Sequence, residues 1–189
     1  MKTVTDAEIL AFHSGTLKTL KLTFSNGTIL QNDSIVSESL EIKQSISESD
    51  QISFATVYAS ELHVSVLPLT RFKGLDCTVE ITAGSYSRVL GTYTIVSDDS
   101  LSDYSARQLV GYDKLYSIIP RDYSIWHNGL DTQLTGTITL KQYRDAFFSL
   151  IGITQQEATL PNDNLAVNLP SLNTTLTGGQ ILGMICDLN

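Results

Sequence analysis

The side chains of this sequence that could do chemistry are scattered along the chain. Three histidines, His13, His63 and His127, share no local spacing. A zinc site on a helix needs two of them four residues apart, and a structural zinc site needs paired cysteines. Neither pattern occurs, nor does a glycine-rich phosphate loop. His63 falls on the polar side of an alternating run, the place of an exposed histidine rather than a ligand. Asp98, Asp99 and Asp103 are the right type for calcium, but an EF-hand loop sets oxygen ligands at alternate positions and a Glu at the twelfth. The run reads instead as a turn made by side-chain-to-backbone hydrogen bonds. Glu38, Glu41, Glu48 and Glu61 are the carboxylates a glycosidase would need in pairs, yet nothing in the sequence pairs two of them. Ser14 and Ser85 lack the strand–turn–helix setting of a nucleophile elbow. Tyr86, Tyr93, Tyr104 and Tyr112 could stack on sugar rings, although strand tyrosines more often serve packing and interfaces. The expectation is a protein that is not an enzyme, with no catalytic, cofactor-binding or metal-binding residues.

Bulk properties narrow the classes further. The chain has 189 residues, 12 basic against 20 acidic, for a formal net charge of -8 and a pI near 4.7. Binding to a phosphate backbone requires clustered Lys and Arg, and here they stand singly, so no nucleic-acid binding is expected. No window approaches the ~20 consecutive apolar residues of a membrane span. The N-terminus MKTVTDAEILAF carries no long apolar run and does not read as a secretory leader. Two cysteines, Cys77 and Cys186, read as small buried or half-buried hydrophobes rather than a disulfide.

The elements that must position these residues change character along the chain. Residues 1–13 read as a soft lead-in. Leu20, Leu22 and Phe24 then alternate with polar residues, the period of a half-buried strand. Asn26-Gly27 follows, a hairpin signal in which both central residues take positive φ. Further short strands are expected around Leu40-Glu41-Ile42, Ile52-Ser53-Phe54, the alternating Leu62, Val64 and Val66 stopped by Pro68, and Cys77, Val79 and Ile81 closed by Ala83-Gly84-Ser85. Tyr93 and Ile95 lie in the next run, ended by a turn at Asp98-Asp99-Ser100, and residues 104–110 make one more. Strands at this spacing predict a closed or sandwich-like antiparallel domain. Residues 111–116 are expected to end the series in a single helical turn, and residues 117–137 to form a connector that Tyr123 and Trp126 help to pack.

From Ile138 the period becomes helical. Thr139 and Gln142 have capping-box spacing, and Leu140, Tyr143, Phe147, Leu150 and Ile151 fall on one face. Gly152 stands where a left-handed C-cap belongs. Leu160-Pro161-Asn162-Asp163-Asn164 reads as a turn before a short strand, Leu165-Ala166-Val167. Thr177 and Gln180 repeat the capping-box spacing, and Ile181, Ile185 and Leu188 give a second helix its apolar face.

Three blocks taken in order resemble one family. The first runs from Ser37-Glu38-Ser39-Leu40-Glu41-Ile42 through Gln51-Ile52-Ser53-Phe54 to Tyr58-Ala59-Ser60-Glu61. The second is Gly91-Thr92-Tyr93-Thr94-Ile95 leading to Tyr112-Asp113-Lys114-Leu115-Tyr116. The third extends from Ile138 through Leu160-Pro161-Asn162-Asp163-Asn164 to Ile185-Cys186-Asp187-Leu188-Asn189. Together they resemble the N-terminal part of prophage tail proteins of Gram-positive bacteria, of the baseplate hub, tail-tip or tail-associated lysin type, over nearly the whole chain from about residue 14. Ala55 departs from the glycine common after the phenylalanine, and the chain stops where such proteins continue into another β region.

The resemblance implies an α+β fold, with a tail-tube-like β-barrel hub domain over residues 1–122 and a partial α/β insert domain with two amphipathic helices over residues 123–189. A second barrel would be missing, as in a fragment of a longer product. The implied role is structural, closing the tail tube and presenting downstream host-interaction domains. The implied partners are distal tail or tube proteins and two further copies in a trimer. The implied place is the virion tail, reached from the host cytoplasm during assembly. Two alternatives remain: the N-terminal part of a tail-associated peptidoglycan hydrolase, and a cell-wall carbohydrate-binding module.

Overall fold

Alternation of apolar and polar residues writes most of the sheet. A computed structural model describes residues 4–44, 57–101, 105–123, 137–154, 159–168 and 176–188. They separate into two compact units. One comprises residues 4–44 and 59–115; the other comprises residues 57–58 and the described residues from 116 onward. The expected strand at Ile52-Ser53-Phe54, with Tyr104 and Trp126, lies outside the described residues.

The first unit is built on strands β1 (Lys18–Phe24), β2 (Ile29–Gln31), β3 (Glu41–Lys43), β4 (Glu61–Val66), β5 (Asp76–Ala83), β6 (Tyr86–Ser100) and β7 (Arg107–Tyr112). They form one antiparallel sheet in the order β2-β1-β5-β6-β7-β4-β3. In β4 every second residue, Leu62, Val64 and Val66, is buried, as the period of two requires. Leu22, Phe24 and Leu30 from one side of the sheet join Leu62 and Val64 from the other, with Cys77, Val79, Tyr93, Ile95 and Leu109, in a single apolar cluster.

Residues from both sides of the sheet can share one core only if the sheet curls. The link is short: a 3-10 turn (Asn32–Ser34) carries the chain from β2 to a bridge between Ile35 and Val66 of β4. Val36 N–H donates to Ser65 O at 2.9 Å, and Leu67 N–H donates to Ser34 O at 2.9 Å. Among the described residues no ladder joins β2 to β3, so the sheet remains open where a closed barrel would need continuous pairing.

Several local expectations are corrected. The β1–β2 hairpin forms, but only Gly27 takes positive φ, at 85°. Gly27 N–H donates to Phe24 O and Phe24 N–H donates to Thr28 O, each at 2.9 Å. This is a three-residue loop with a bulged glycine, not the two-residue turn. Residues 6–13 are helix α1 (Asp6–His13) rather than a lead-in, with the Thr5 hydroxyl accepting from Glu8 N–H. Asp98-Asp99-Ser100 is no turn, since β6 runs through Ser100. The strand expected over residues 104–110 runs Arg107–Tyr112 instead, so Gly111 and Tyr112 belong to it, and helix α2 (Leu115–Ile118) supplies the single helical turn.

In the second unit, β8 (Thr137–Thr139) pairs antiparallel with β9 (Ala166–Asn168). Helix α3 (Leu140–Ile151) follows β8 directly. Its capping box is complete: Thr139 Oγ1 accepts from Gln142 N–H, and Gln142 Oε1 accepts from Thr139 N–H. Gly152 caps its other end at φ 63° and ψ 37°. Helix α4 (Gly178–Leu188) repeats the reciprocal cap through Thr177 and Gln180. Leu140, Tyr143, Phe147, Ile151, Ile181, Leu182 and Ile185 are buried, whereas Leu188 is exposed. Replacing Thr139 by Ala is expected to lower stability by about 1 kcal/mol, read as a drop in melting temperature. Gly178→Ala should cost more, about 1–3 kcal/mol from overpacking. A Cβ there would stand 2.3 Å from Ile118 O and 2.9 Å from Tyr123 Cε2, and the backbone oxygen has no way to give. At the neighbouring Gly179 the nearest atom is Ile119 Cγ2 at 3.1 Å, so Gly179→Ala is expected to stay within about 1 kcal/mol of the parent.

Candidate functional site

Three residues singled out for three different chemistries meet on the polar face of the first unit. Glu61 and Tyr112 are direct partners across β4 and β7, and His63 lies two residues along β4. Tyr112 Oη donates to Glu61 Oε1 at 3.0 Å, and His63 Nε2 lies 2.9 Å from the same oxygen. That second approach is close but not aligned as a hydrogen bond, and the His63 Nε2 atom is buried. His63 is therefore half-buried beside a carboxylate, not the free surface histidine its strand position suggested. Glu41 is paired with His63 across β3 and β4 and points its carboxylate toward Lys43 Nζ at 3.5 Å.

Chemically, the cluster holds one carboxylate in a fixed place. Glycoside hydrolysis needs two, flanking a bound bond about 5–9.5 Å apart. The neighbouring acid on this face, Glu41, is exposed and shared with a lysine, so its environment does not separate an acid from a base. Acyl transfer would need a nucleophile beside the imidazole, whereas the group that approaches His63 Nε2 is the Glu61 carboxylate.

The other candidates disperse. Asp98 and Asp99 are adjacent in β6 and differ in fate: Asp98 is buried, and Asp99 is exposed with its carboxylate against Ser97. Tyr93 is 1% exposed in the core while Tyr86 and Tyr112 are half-buried, so these tyrosines do not share a stacking platform. Glu38 is exposed, His13 is exposed on α1, Ser14 is its C-cap and Ser85 lies in the β5–β6 turn. Glu48, Asp103, Tyr104 and His127 lie outside the described residues. Both cysteines are free. Cys77 is fully buried, and burial pushes its thiol up to about 12. Cys186 is exposed, against the buried or half-buried place expected for the two cysteines.

The sequence reading missed three ion pairs that the fold builds deliberately. Arg88 Nη2 donates to Glu8 Oε1 at 2.8 Å, and Arg88 Cζ stands 5.9 Å from the Phe12 ring centroid, pinning α1 to the sheet. Asp98 Oδ2 accepts from Phe72 N–H at 2.9 Å and Lys73 N–H at 3.3 Å, and Arg107 Nη1 is 3.7 Å away. Arg107 also donates to Leu69 O at 2.9 Å, so this pair organises the loop of residues 67–75. In the second unit, Arg144 Nη1 donates to Asp163 Oδ1 at 2.6 Å with both side chains buried. Arg144 lies four residues after Leu140 and three before Phe147. That position on the apolar stripe was the readable sign of a buried partner.

Burial of Asp163 acts to raise its pKa. Hydrogen bonds from Leu160 N–H and Arg144, with the charges of Arg144 and Lys141, outweigh it and hold the carboxyl below its ordinary value. The stability its ionised form contributes is therefore present above the ordinary carboxylate range and lost as pH falls through the lowered folded value. In Asp163→Asn the arginine loses its buried counter-charge and keeps only the more exposed Asp145, 3.8 Å from its Nε, so the variant should be less stable at neutral pH. Its melting temperature should also fall less steeply than the parent's below about pH 4. Thermal melts followed by circular dichroism check both, and the double variant that adds Arg144→Met to Asp163→Asn should recover part of the neutral-pH loss.

No family model and no curated protein matches the chain. Among solved structures, the fold is similar to the prophage MuSo2 43 kDa tail protein from Shewanella oneidensis, with a TM-score of 0.55 at 16% sequence identity. The match covers 92% of this chain and 51% of that one, so the chain spans about half the length of the solved tail protein. At this identity the likeness is one of fold alone.

Proposed function

We propose that the chain is a structural component of a phage or prophage tail. The observation that carries this reading is the likeness of fold to a prophage tail protein over nearly the whole chain. It agrees with the ordered blocks of sequence that resemble Gram-positive tail proteins. In the finer form of the proposal, the chain belongs to the tail tip or baseplate hub. Residues 1–122 would serve there as the tube-like, barrel-like domain and residues 123–189 as part of an inserted α/β domain. It would act as a trimer against distal tail or tube proteins, closing the tube and presenting whatever follows it. It would be made in the host cytoplasm and end in the virion tail. Its side chains serve packing and docking, and it is not an enzyme.

Deleting the gene and imaging the particles by negative-stain electron microscopy tests the role. Tails that are absent, or tubes that lack a finished tip, are expected; particles with normal tails would overturn it. The hydrolase alternative is tested by incubating the purified chain with peptidoglycan. No release of soluble fragments is expected. Turnover that disappears in Glu61→Gln would instead make the Glu61–His63–Tyr112 cluster an active site.

A further inference from the structure

The tip of the β1–β2 hairpin holds a pair of residues that can react with each other. Asn26 and Gly27 both stand exposed there. In an Asn-Gly pair the glycine backbone nitrogen can attack the side-chain carbonyl carbon of the asparagine, because no Cβ on the second residue obstructs it. Two features of this turn favour the attack. Asn26 Oδ1 accepts from Thr28 N–H at 3.0 Å, which folds the side-chain amide over the Asn26–Gly27 peptide. That donor also stabilises the negative charge that develops on Oδ1 as the carbonyl is attacked. Gly27 takes φ 85°, and no atom beyond its chain neighbours stands within 4 Å of where a Cβ would be, so water reaches it. One contact opposes the attack: Gly27 N–H donates to Phe24 O at 2.9 Å. A nitrogen held in this hydrogen bond keeps the proton it must lose. The near side of the loop is tied down as well, since Ser25 N–H donates to Asp76 O at 2.9 Å and Ser25 Oγ accepts from Asp76 N–H at 3.2 Å.

We propose that Asn26 is a site of spontaneous deamidation, gated by the Gly27–Phe24 hydrogen bond, and that its isoaspartyl product releases strand β2. When the turn opens, Gly27 N gives its proton to hydroxide and bonds to Asn26 Cγ. The Cγ–Nδ2 bond breaks, and ammonia leaves after taking a proton from water. A second water then opens the cyclic imide. Cleavage at Cγ leaves an ordinary aspartyl residue, and cleavage at the main-chain carbonyl leaves isoaspartate, whose chain runs through Cβ and Cγ. The two products differ in what they do to the fold. An aspartyl carboxylate still accepts from Thr28 N–H and keeps the backbone at its length. Isoaspartate adds one atom to the main chain inside a loop closed by Phe24 N–H donating to Thr28 O at 2.9 Å. Strand β2 has three residues, lies at the sheet edge and, among the described residues, pairs with β1 alone. It has no second ladder to hold its register. Yet it carries Leu30 into the core, and the turn after it leads to the bridge at Val66. Loosening β2 therefore frees the segment that curls the sheet. None of this depends on the tail role.

Peptide mapping by mass spectrometry, with aspartyl and isoaspartyl forms separated by chromatography, follows Asn26 while the chain is incubated at mildly alkaline pH. The folded chain should convert, but about tenfold or more slowly than the chain unfolded in guanidinium chloride, because the reactive turn is a minor open state. Leu30→Ala, which loosens β2, should move the rate toward the unfolded one. Guanidinium below the unfolding transition gives the same comparison in the parent, whether or not that variant folds. The sequence holds a second such pair, Asn128-Gly129, outside the described residues, so thermal melts use an Asn128→Gln background. There Asn26→Asp should melt close to the parent, and the isolated isoaspartyl fraction should melt lower. An Asn26 that never converts in the folded chain would overturn the site. A folded rate equal to the unfolded one would overturn the gate. An isoaspartyl fraction that melts with Asn26→Asp would overturn the release of β2.

Discussion

A single antiparallel sheet with no second layer packed on its apolar face hides that face by bending it onto itself, and the first unit, whose helix α1 buries only Glu8, follows from this constraint. Among the described residues its core is lined by side chains of the sheet and of the segments joining its strands. Leu30 near one edge and Leu62 near the other belong to the same cluster. The right-handed twist of strands favours the bend. The three-residue turn at Asn32–Ser34 commits the chain to it, because a link that short forces the segment after β2 onto β4. Ser39 then secures the crossing: its hydroxyl donates to Val36 O and accepts from Ser65 N–H at 3.1 Å.

A curled sheet has two open ends, and the strand bulges supply what fills them. Between Val79 and Glu80 the partner register on β6 skips Leu90, and between Ile95 and Ser97 it skips Val96. Each extra residue reverses which face the next side chain meets. The first reversal turns Arg88 inward, where it meets Glu8 of α1. The second turns Asp98 inward, where two loop amides and Arg107 receive it. Without the bulges, Arg88 and Asp98 would face solvent, and the ends would lack the charges that tie α1 and the loop of residues 67–75 to the sheet. Removing a partner costs most at Asp98, which is buried and holds two loop amides as well as Arg107.

This also explains what the sequence made legible. Period and capping are local, so the clean alternation of β4, the helix over Leu140–Ile151 with both caps, and the repeated Thr–x–x–Gln start of the last helix could be read from a few neighbouring letters. The Thr5–x–x–Glu8 spacing was equally local, and α1 was overlooked because its apolar residues face outward and break the expected stripe. Asp98-Asp99-Ser100 has turn composition, yet a bulge and the half-buried Arg107 hold it in a strand, a tertiary override of local preference. The Glu61–His63–Tyr112 meeting depends on β4 lying beside β7, which no spacing within either strand announces. Arg144 was legible as an oddity on an apolar stripe, but its partner, nineteen residues on, was not.

The one strained backbone position among the described non-glycine residues points the same way. Glu38 takes φ 59°, a conformation that costs an L-residue of order 1–3 kcal/mol and persists only where its surroundings over-determine it. In enzymes such strain gathers where a reacting group must be aimed. Here Glu38 is exposed, and its neighbour Ser39 holds the crossing segment against β4. The Val36–Ser39 turn, closed by Ser39 N–H donating to Val36 O at 3.2 Å, lets one run of chain serve β4 twice, first at Val66 and then at His63. The strain sits where the sheet is drawn together, and the polar face carrying Glu61 is formed by the same strand that the turn holds in place.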